Sequence, residues 1–302
     1  MKQVNYINTL NLNGQEISVL RLDLIHPKYG GNKIFKLKYN ILKAKEAVFK
    51  KVLTFGGAHS NHIFSSAAYC KDQELDCIGV IRGREAELEN SPTLVSARQN
   101  GMQFHFVSNA DFQNKDQADF IQQLKEKFGD FYLVPEGGNN AEGVKGCMEI
   151  MNDELKKYDY VFCASGTGAT YSGIKISAAP HQKIIGVSVL KGENTLIDSA
   201  NKWLSYFGQE KINSDECLNS STIINTYALN GYATFSPDLF HFKKEFEEKF
   251  NIPLDHVYTA KLFYAVSDLI KKKDILLNKK ILVIHSGGQQ GNAAFEKRYR
   301  LS

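Results

Sequence analysis

The sequence predicts an α/β protein whose parallel strands carry a ligand site at their carboxyl ends. Short apolar, β-branched runs alternate with segments of helical periodicity, the pattern of strands joined by crossover helices. Four of the runs end in glycine, at Gly56-Gly57, Gly137-Gly138, Gly166-x-Gly168 and Gly287-Gly288. In open α/β sheets ligands bind beyond the carboxyl ends of the strands, where glycine lets them approach the backbone. Ordinary βα turns account for one or two such endings; four suggest a shared cleft.

Taken in order, strands are expected at "EISVLRLDLI", "KVLTFGG", "DCIGVIRG", "MQFHFVS", "FYLVPEGG", "YDYVFCASG", "KIIGVSVL" and "KKILVIHSGG". Each is a short run rich in Val, Ile, Leu, Phe or Tyr. Helical patterns occupy roughly 33–49, 61–73, 92–100, 111–128, 141–156, 169–179, 194–207, 236–249 and 258–272, after strands as right-handed crossovers require. No low-complexity linker and no internal repeat interrupts them.

Composition excludes more than it assigns. A chain of 302 residues suits one large α/β unit or two domains sharing a cleft. The 37 basic and 33 acidic residues leave a net charge of +4, too mild to call for nucleic acid or an anionic membrane surface. No apolar run approaches the roughly 20 residues needed to span a bilayer. The opening "MKQVNYINTLNLNG" lacks the apolar core of a signal peptide, so a cytoplasmic protein is expected. Cys70, Cys77, Cys147, Cys163 and Cys217 are scattered and never spaced C-x-x-C, which fits a reducing compartment. The eight histidines show no ligand spacing, so no metal is expected.

"CASGTGATYSG", residues 163 to 173, follows the apolar "YDYVF" and opens a helix. Free amides, the positive end of a helix dipole and hydroxyls converge in such a turn, which suits a phosphate. A dinucleotide fingerprint needs glycine where Tyr171 stands, and no acidic residue ends the following strand. A Walker loop needs lysine straight after the second glycine, where Ile174 stands, with Lys175 one residue late. A small phosphate monoester remains, or a plain helix-capping turn.

"GGNKIFKLKYN", residues 30 to 40, crowds Lys33, Lys36 and Lys38 behind two glycines. A helix with a basic wet face accounts for all three. The alternative sends Lys33 into a site at the glycine turn and leaves Lys36 and Lys38 in solvent. A phosphate cradle, a lysine at a glycine turn and a further small polar loop are the parts that pyridoxal phosphate needs.

With "FGGAHSNH", "VPEGGNNAEGVKG", "SGTGAT", "VYTAK" and "HSGG" in order behind it, "GGNKIFKLKY" resembles the family of 1-aminocyclopropane-1-carboxylate (ACC) deaminases and D-cysteine desulfhydrases. The motifs run from about residue 15 to 292. The resemblance implies a fold type II pyridoxal phosphate enzyme, similar to the tryptophan synthase β chain. It would have two three-layer α/β/α domains with the cofactor in the cleft between them. The expected division is a large domain of residues 1–40 and 155–302 and a small mobile domain of 41–154. A homodimer is the family's usual assembly.

By the same resemblance Lys33 is the Schiff-base lysine and general base, and Lys36 and Lys38 are surface or structural lysines. Ser60 is a substrate contact and proton donor, and Asn61 bonds the cofactor's ring hydroxyl. The helix start at Ser60, Asn61 and His62 receives the substrate carboxylate. Read without the resemblance, "HSNH" is equally an N-cap. Gly166, Thr167, Gly168, Ala169 and Thr170 are expected to hold the phosphate, and Tyr232 and Tyr258 to line the substrate pocket, with Tyr258 also catalytic.

ACC deaminases read V-Y-E-G-K and H-L-G-G, whereas this chain has Thr259 after the tyrosine and Ser286 after His285. A glutamate can keep the pyridine nitrogen protonated; a hydroxyl at Ser286 or Thr259 can only share a hydrogen bond. The weaker electron sink suits β-elimination of a good leaving group, which points to the desulfhydrase side and to D-cysteine as the small amino-acid substrate. ACC deamination, or a cofactor-binding protein without turnover, are the alternatives; the latter would not need Ser60.

Overall fold

The computed structural model describes residues 6–191, 195–212, 218–272 and 276–301. Cys217 and the first residue of the helix expected at 194–207 lie outside these. Chain order is β1 (Ile7–Leu12), β2 (Gln15–Arg21), α1 (Asn32–Glu46), β3 (Lys51–Gly57), α2 (Asn61–Asp72), β4 (Asp76–Arg82), α3 (Pro92–Gln99) and β5 (Gln103–Val107). Next come α4 (Asn109–Phe112), α5 (Ala118–Phe128), β6 (Tyr132–Val134), α6 (Ala141–Met148), β7 (Tyr160–Ser165) and α7 (Ala169–Ser177). The chain continues with β8 (Lys183–Ser188), α8 (Thr195–Tyr206), β9 (Thr222–Ile224), α9 (Pro237–Phe250), α10 (Thr259–Lys271), β10 (Ile281–His285) and α11 (Asn292–Tyr299).

Two sheets result. The larger runs β1-β2-β10-β7-β8-β9 and the smaller β5-β4-β3-β6. All pairs are parallel except β1 with β2. Parallel strands are buried on both faces, which explains their continuous apolar runs. On β7, Tyr160, Phe162 and Ala164 join one core with Ile281 and Val283 of β10. Val161 and Cys163 join the opposite core with Leu282 and Ile284. The small sheet divides likewise: Val52 and Cys77 face one way, Leu53, Phe55 and Val80 the other. Each sheet is thus the middle of a three-layer unit, the arrangement expected from the sequence.

Several elements differ from expectation. The first strand, Ile7–Leu12, pairs antiparallel with β2 across Asn13 (φ 53°) and Gly14 (φ 87°). Asn-Gly between apolar alternations is a strong hairpin signal that the reading passed over. The strand expected to reach Ile25 stops at Arg21, because Leu22–Leu24 turn into a 3-10 helix and Leu22 O accepts the Gly31 amide at 2.7 Å. The expected helix 111–128 is two, Asn109–Phe112 and Ala118–Phe128. The helix expected to 156 ends at Met148. The three-residue β9 and the C-terminal α11 carried too little periodic signal to be expected. Among the described residues, no helix is long and apolar enough to cross a membrane.

Candidate active site

A cleft of about 660 Å³ opens at the carboxyl ends of β3, β4 and β7 and is walled on its far side by Leu190, Tyr232 and Tyr258. A smaller cavity of about 190 Å³ adjoins it and shares Lys33, Asn61, Tyr258 and Gly288. The glycine-ended strands therefore do converge on one space.

Lys33 reaches it from the first turn of α1. Gly31 before it holds φ 114° and ψ −173°, and a Cβ there would lie 2.3 Å from Ser286 O. Only glycine lets the start of α1 seat against the turn after β10, where the Asn32 amide donates to Ser286 O at 3.2 Å. The Lys33 amine has no hydrogen-bond partner among the described residues. Burial, and next the like charge of Lys36, hold it well below the ordinary lysine range.

Lys36 corrects the sequence reading. Expected in solvent, it is 2% exposed, and its Nζ donates to Gly137 O at 3.0 Å and Thr167 Oγ1 at 3.3 Å. It stands beside the anion loop with no carboxylate partner among the described residues. Lys38 does stay at the surface, paired with Glu149.

From the small sheet, the β3–α2 turn presents Ser60, Asn61 and His62. Ser60 caps α2: its Oγ accepts the amides of His62 at 3.2 Å and Ile63 at 3.4 Å. Its hydroxyl proton is left for another acceptor. Asn61 Oδ1 accepts from Gln290 Nε2, which leaves the amide's Nδ2 a donor with no partner among the described residues. The side chain of His62 is buried, with Nε2 2.8 Å from Thr54 Oγ1 and Nδ1 without a partner among the described residues. Burial and the charges of Lys33 and Lys36 hold the ring well below 6.5, so it is neutral.

The loop of residues 163 to 173 divides in two. Gly166 and Thr167 line the cleft. Gly168 (φ 89°), Ala169 and Thr170 form the start of α7, whose first amides have no intrahelical partner. The Ala169 side chain packs with Val144 and Trp203, and Thr170 Oγ1 accepts from Asn32 Nδ2 at 2.9 Å. The Ala169 side chain is taken up by this packing, whereas the Thr170 hydroxyl accepts and keeps its proton to donate.

Ser286 lines the smaller cavity beside Asn32 and Lys33. Thr259 does not reach either cavity, which corrects the pairing of the two hydroxyls. It is fully buried, its Oγ1 donating to Asp255 Oδ1 at 2.8 Å. Asp255 in turn accepts the amides of Val257, Tyr258 and Thr259 at 2.8–2.9 Å and so builds the start of α10. Tyr258 stands in the cleft with its ring edge-on to Tyr232, centroids 6.0 Å apart. Burial raises the Tyr258 phenol well above its usual range, so it is a proton donor.

Sequence reasoning missed Lys36, Asp255 and Gln290. Lys36 lies one helical turn past Lys33, so a helix that turns Lys33 inward turns Lys36 inward too. Gln290 carries no comparable signal. Among the described residues no three His, Cys, Asp or Glu side chains gather as a metal site.

Comparison with known proteins gives the family and the fold. Residues 5–287 match the family described as pyridoxal-phosphate dependent enzyme. A putative ACC deaminase of Pyrococcus furiosus is 28% identical over 94% of this chain and 88% of its own length. A D-cysteine desulfhydrase of Klebsiella pneumoniae is 28% identical over 91% and 87%. The crystal structure of an ACC deaminase homologue superposes with a TM-score of 0.83 at 27% identity, covering 99% of this chain and 94% of that one.

Proposed function

The chain belongs to the pyridoxal-phosphate dependent enzymes, among the ACC deaminases and D-cysteine desulfhydrases, and from that premise we propose that it degrades D-cysteine. D-cysteine and water would give pyruvate, hydrogen sulfide and ammonia. One observation carries the choice: beside Lys33 and Asn32 in the smaller cavity stands the hydroxyl of Ser286, while the carboxylate that lines the same cavity, Asp23, is engaged by Arg21 at 2.7 Å and His285 at 3.1 Å.

The residues present fit the cofactor. Lys33 offers its aldehyde an amine that burial holds below the ordinary lysine range and that has no partner among the described residues. The first amides of α7 and the Lys36 ammonium, which lacks a counter-charge, suit a phosphate. The free Nδ2 of Asn61 suits its ring oxygen. When bound, pyridoxal phosphate supplies an electron sink for the pair left when the substrate's Cα–H ionises.

The chain's own groups do the rest. The Lys33 Nζ, from which burial eases loss of the proton, can take the Cα proton. The start of α2, where the Asn61 amide has no partner among the described residues, receives the substrate carboxylate, and Ser60 Oγ donates its remaining proton to the substrate. The Tyr258 hydroxyl, held protonated by burial, can donate to the departing sulfur. Ser286 can share a hydrogen bond with the pyridine nitrogen but cannot hold a full proton there as a carboxylate does. Hydrosulfide leaves with its bonding pair and tolerates the weaker sink. An unactivated cyclopropane does not. We take the unit on the four-stranded sheet, about residues 41–154, to close over the cleft and keep water out.

The test is product release by cofactor-loaded protein from D-cysteine, L-cysteine and ACC. Pyruvate from D-cysteine alone supports the reading. 2-Oxobutyrate from ACC, with no pyruvate from D-cysteine, favours the activity named for the Pyrococcus relative and refutes the role given to Ser286.

A further inference from the structure

Lys261 lies one helical turn past Tyr258 and is 1% exposed. Its ammonium donates to three carbonyls, Gly231 O at 2.6 Å, Ala228 O at 2.8 Å and Val189 O at 3.2 Å. An ammonium has three N–H bonds, so these acceptors use all of them.

The three carbonyls belong to two separate connections. Val189 follows β8, whereas Ala228 and Gly231 belong to the turn after β9. Pairing of β8 with β9 stops at Val187 and Ile224, so both segments have already left the sheet where Lys261 meets them. Gly231 holds φ 101°, and a Cβ there would lie 3.3 Å from Lys191 Cβ, so the two connections touch. The residue after Val189 is Leu190 and the residue after Gly231 is Tyr232, and both line the cleft. Tyr258, across from Tyr232, sits on the same helix as Lys261.

We propose that Lys261 is a positioning residue: it ties two loops that follow different strands to α10 and thereby sets the distance of Leu190 and Tyr232 from Tyr258. That distance is the width available to a substrate side chain. The role in substrate binding rests on the proposal above that an amino acid is bound between these walls; the loop clamp does not. A hydrophobic residue of equal length would fill the space and supply no donors. The turn after β9 would then be tied to α10 by the Tyr227 hydroxyl on Asp268 Oδ2 at 2.6 Å and by packing, without the bonds at Ala228 and Gly231, and the wall carrying Tyr232 would loosen while Lys33 and the anion loop, on other elements, kept their places.

Lys261→Met tests this in the cofactor-loaded enzyme. Hydrogen–deuterium exchange of residues 226–233 should speed by about tenfold or more, with exchange of β7 and β10 unchanged. The cofactor's absorbance should not change. KM for D-cysteine should rise about tenfold with kcat held within about threefold, because binding is loosened and the proton transfer at Lys33 is not. Unchanged exchange at 226–233 overturns the clamp. Faster exchange with KM unmoved overturns its role in substrate binding. If the methionine variant does not fold, Lys261→Arg carries the same measurements, since a planar guanidinium cannot meet three converging carbonyls as an ammonium does. Wild-type protein inactive on every amino acid tried would refute the proposed function, and the exchange result would still decide the clamp.

Discussion

Replacing Lys36 with methionine should move two measurements in opposite directions. The Lys36 ammonium is buried against two neutral oxygens, Gly137 O and Thr167 Oγ1, with no ion-pair partner among the described residues. Enclosing a lone ammonium costs several kcal/mol, and two hydrogen bonds to neutral acceptors return about 1–3 kcal/mol of it. Burial accordingly lowers the Lys36 pKa from 10.5. Methionine removes the charge at nearly the same length, so the cofactor-free variant should be as stable as wild type or more stable by about 1–2 kcal/mol. The same change would delete the charge-assisted bond proposed between Lys36 and the cofactor phosphate, worth about 1.5–3 kcal/mol, and so should weaken cofactor binding about 10- to 100-fold.

The assay is a thermal melt of apoprotein beside a pyridoxal phosphate titration followed by absorbance. A lower apoprotein melting temperature with unchanged cofactor affinity would make Lys36 a structural strut and refute the reasoning. The pH dependence has a defined sign. In the unfolded chain lysine titrates near 10.5, and in the folded protein Lys33 and Lys36 release their protons at lower pH. The unfolded state therefore binds more protons in the interval between, and apoprotein stability rises with pH up to about 10.5 from this source. Lys36→Met should shrink that rise.

Three further outcomes follow from contacts in the site. Lys33→Ala should abolish turnover and covalent cofactor attachment while leaving the fold intact; absorbance of the reconstituted protein and a pyruvate assay check it, and a variant retaining both would displace Lys33 from its role. Thr259→Glu places a second carboxylate against Asp255 at a fully buried position, and should cost about 3 kcal/mol or more without creating ACC activity. A melt and a 2-oxobutyrate assay separate this from the opposite result, gain of ACC deamination. Gly31→Ala meets Ser286 O at 2.3 Å with φ 114° and should lower stability by about 3 kcal/mol while displacing the start of α1, read as a lower melting temperature together with lost turnover.

What was legible in the sequence follows from which forces act locally. Strands buried on both faces must be apolar throughout, so β3, β4, β7, β8 and β10 announced themselves within a residue or two at their starts. Glycines that admit a ligand or a close backbone approach were equally visible. Edge and terminal elements such as β9 and α11 gain stability from tertiary packing and not from pattern, and stayed hidden. Lys36 is the instructive failure. Basic residues are normally solvated, and that expectation outweighed a geometric fact available at the start: residues three apart on a helix share a face, whereas Lys38, five past Lys33, is turned well away. Once Lys33 is assigned inward, solvent exposure of Lys36 becomes inconsistent with helicity. The two buried lysines also explain each other. The ammonium of Lys36 is kept beside the loop that would take a phosphate, and its field is one of the causes that lower the pKa of Lys33. A single lysine could not both retain a charge for an anion and lose its proton to act as a base; two, one turn apart, divide those tasks.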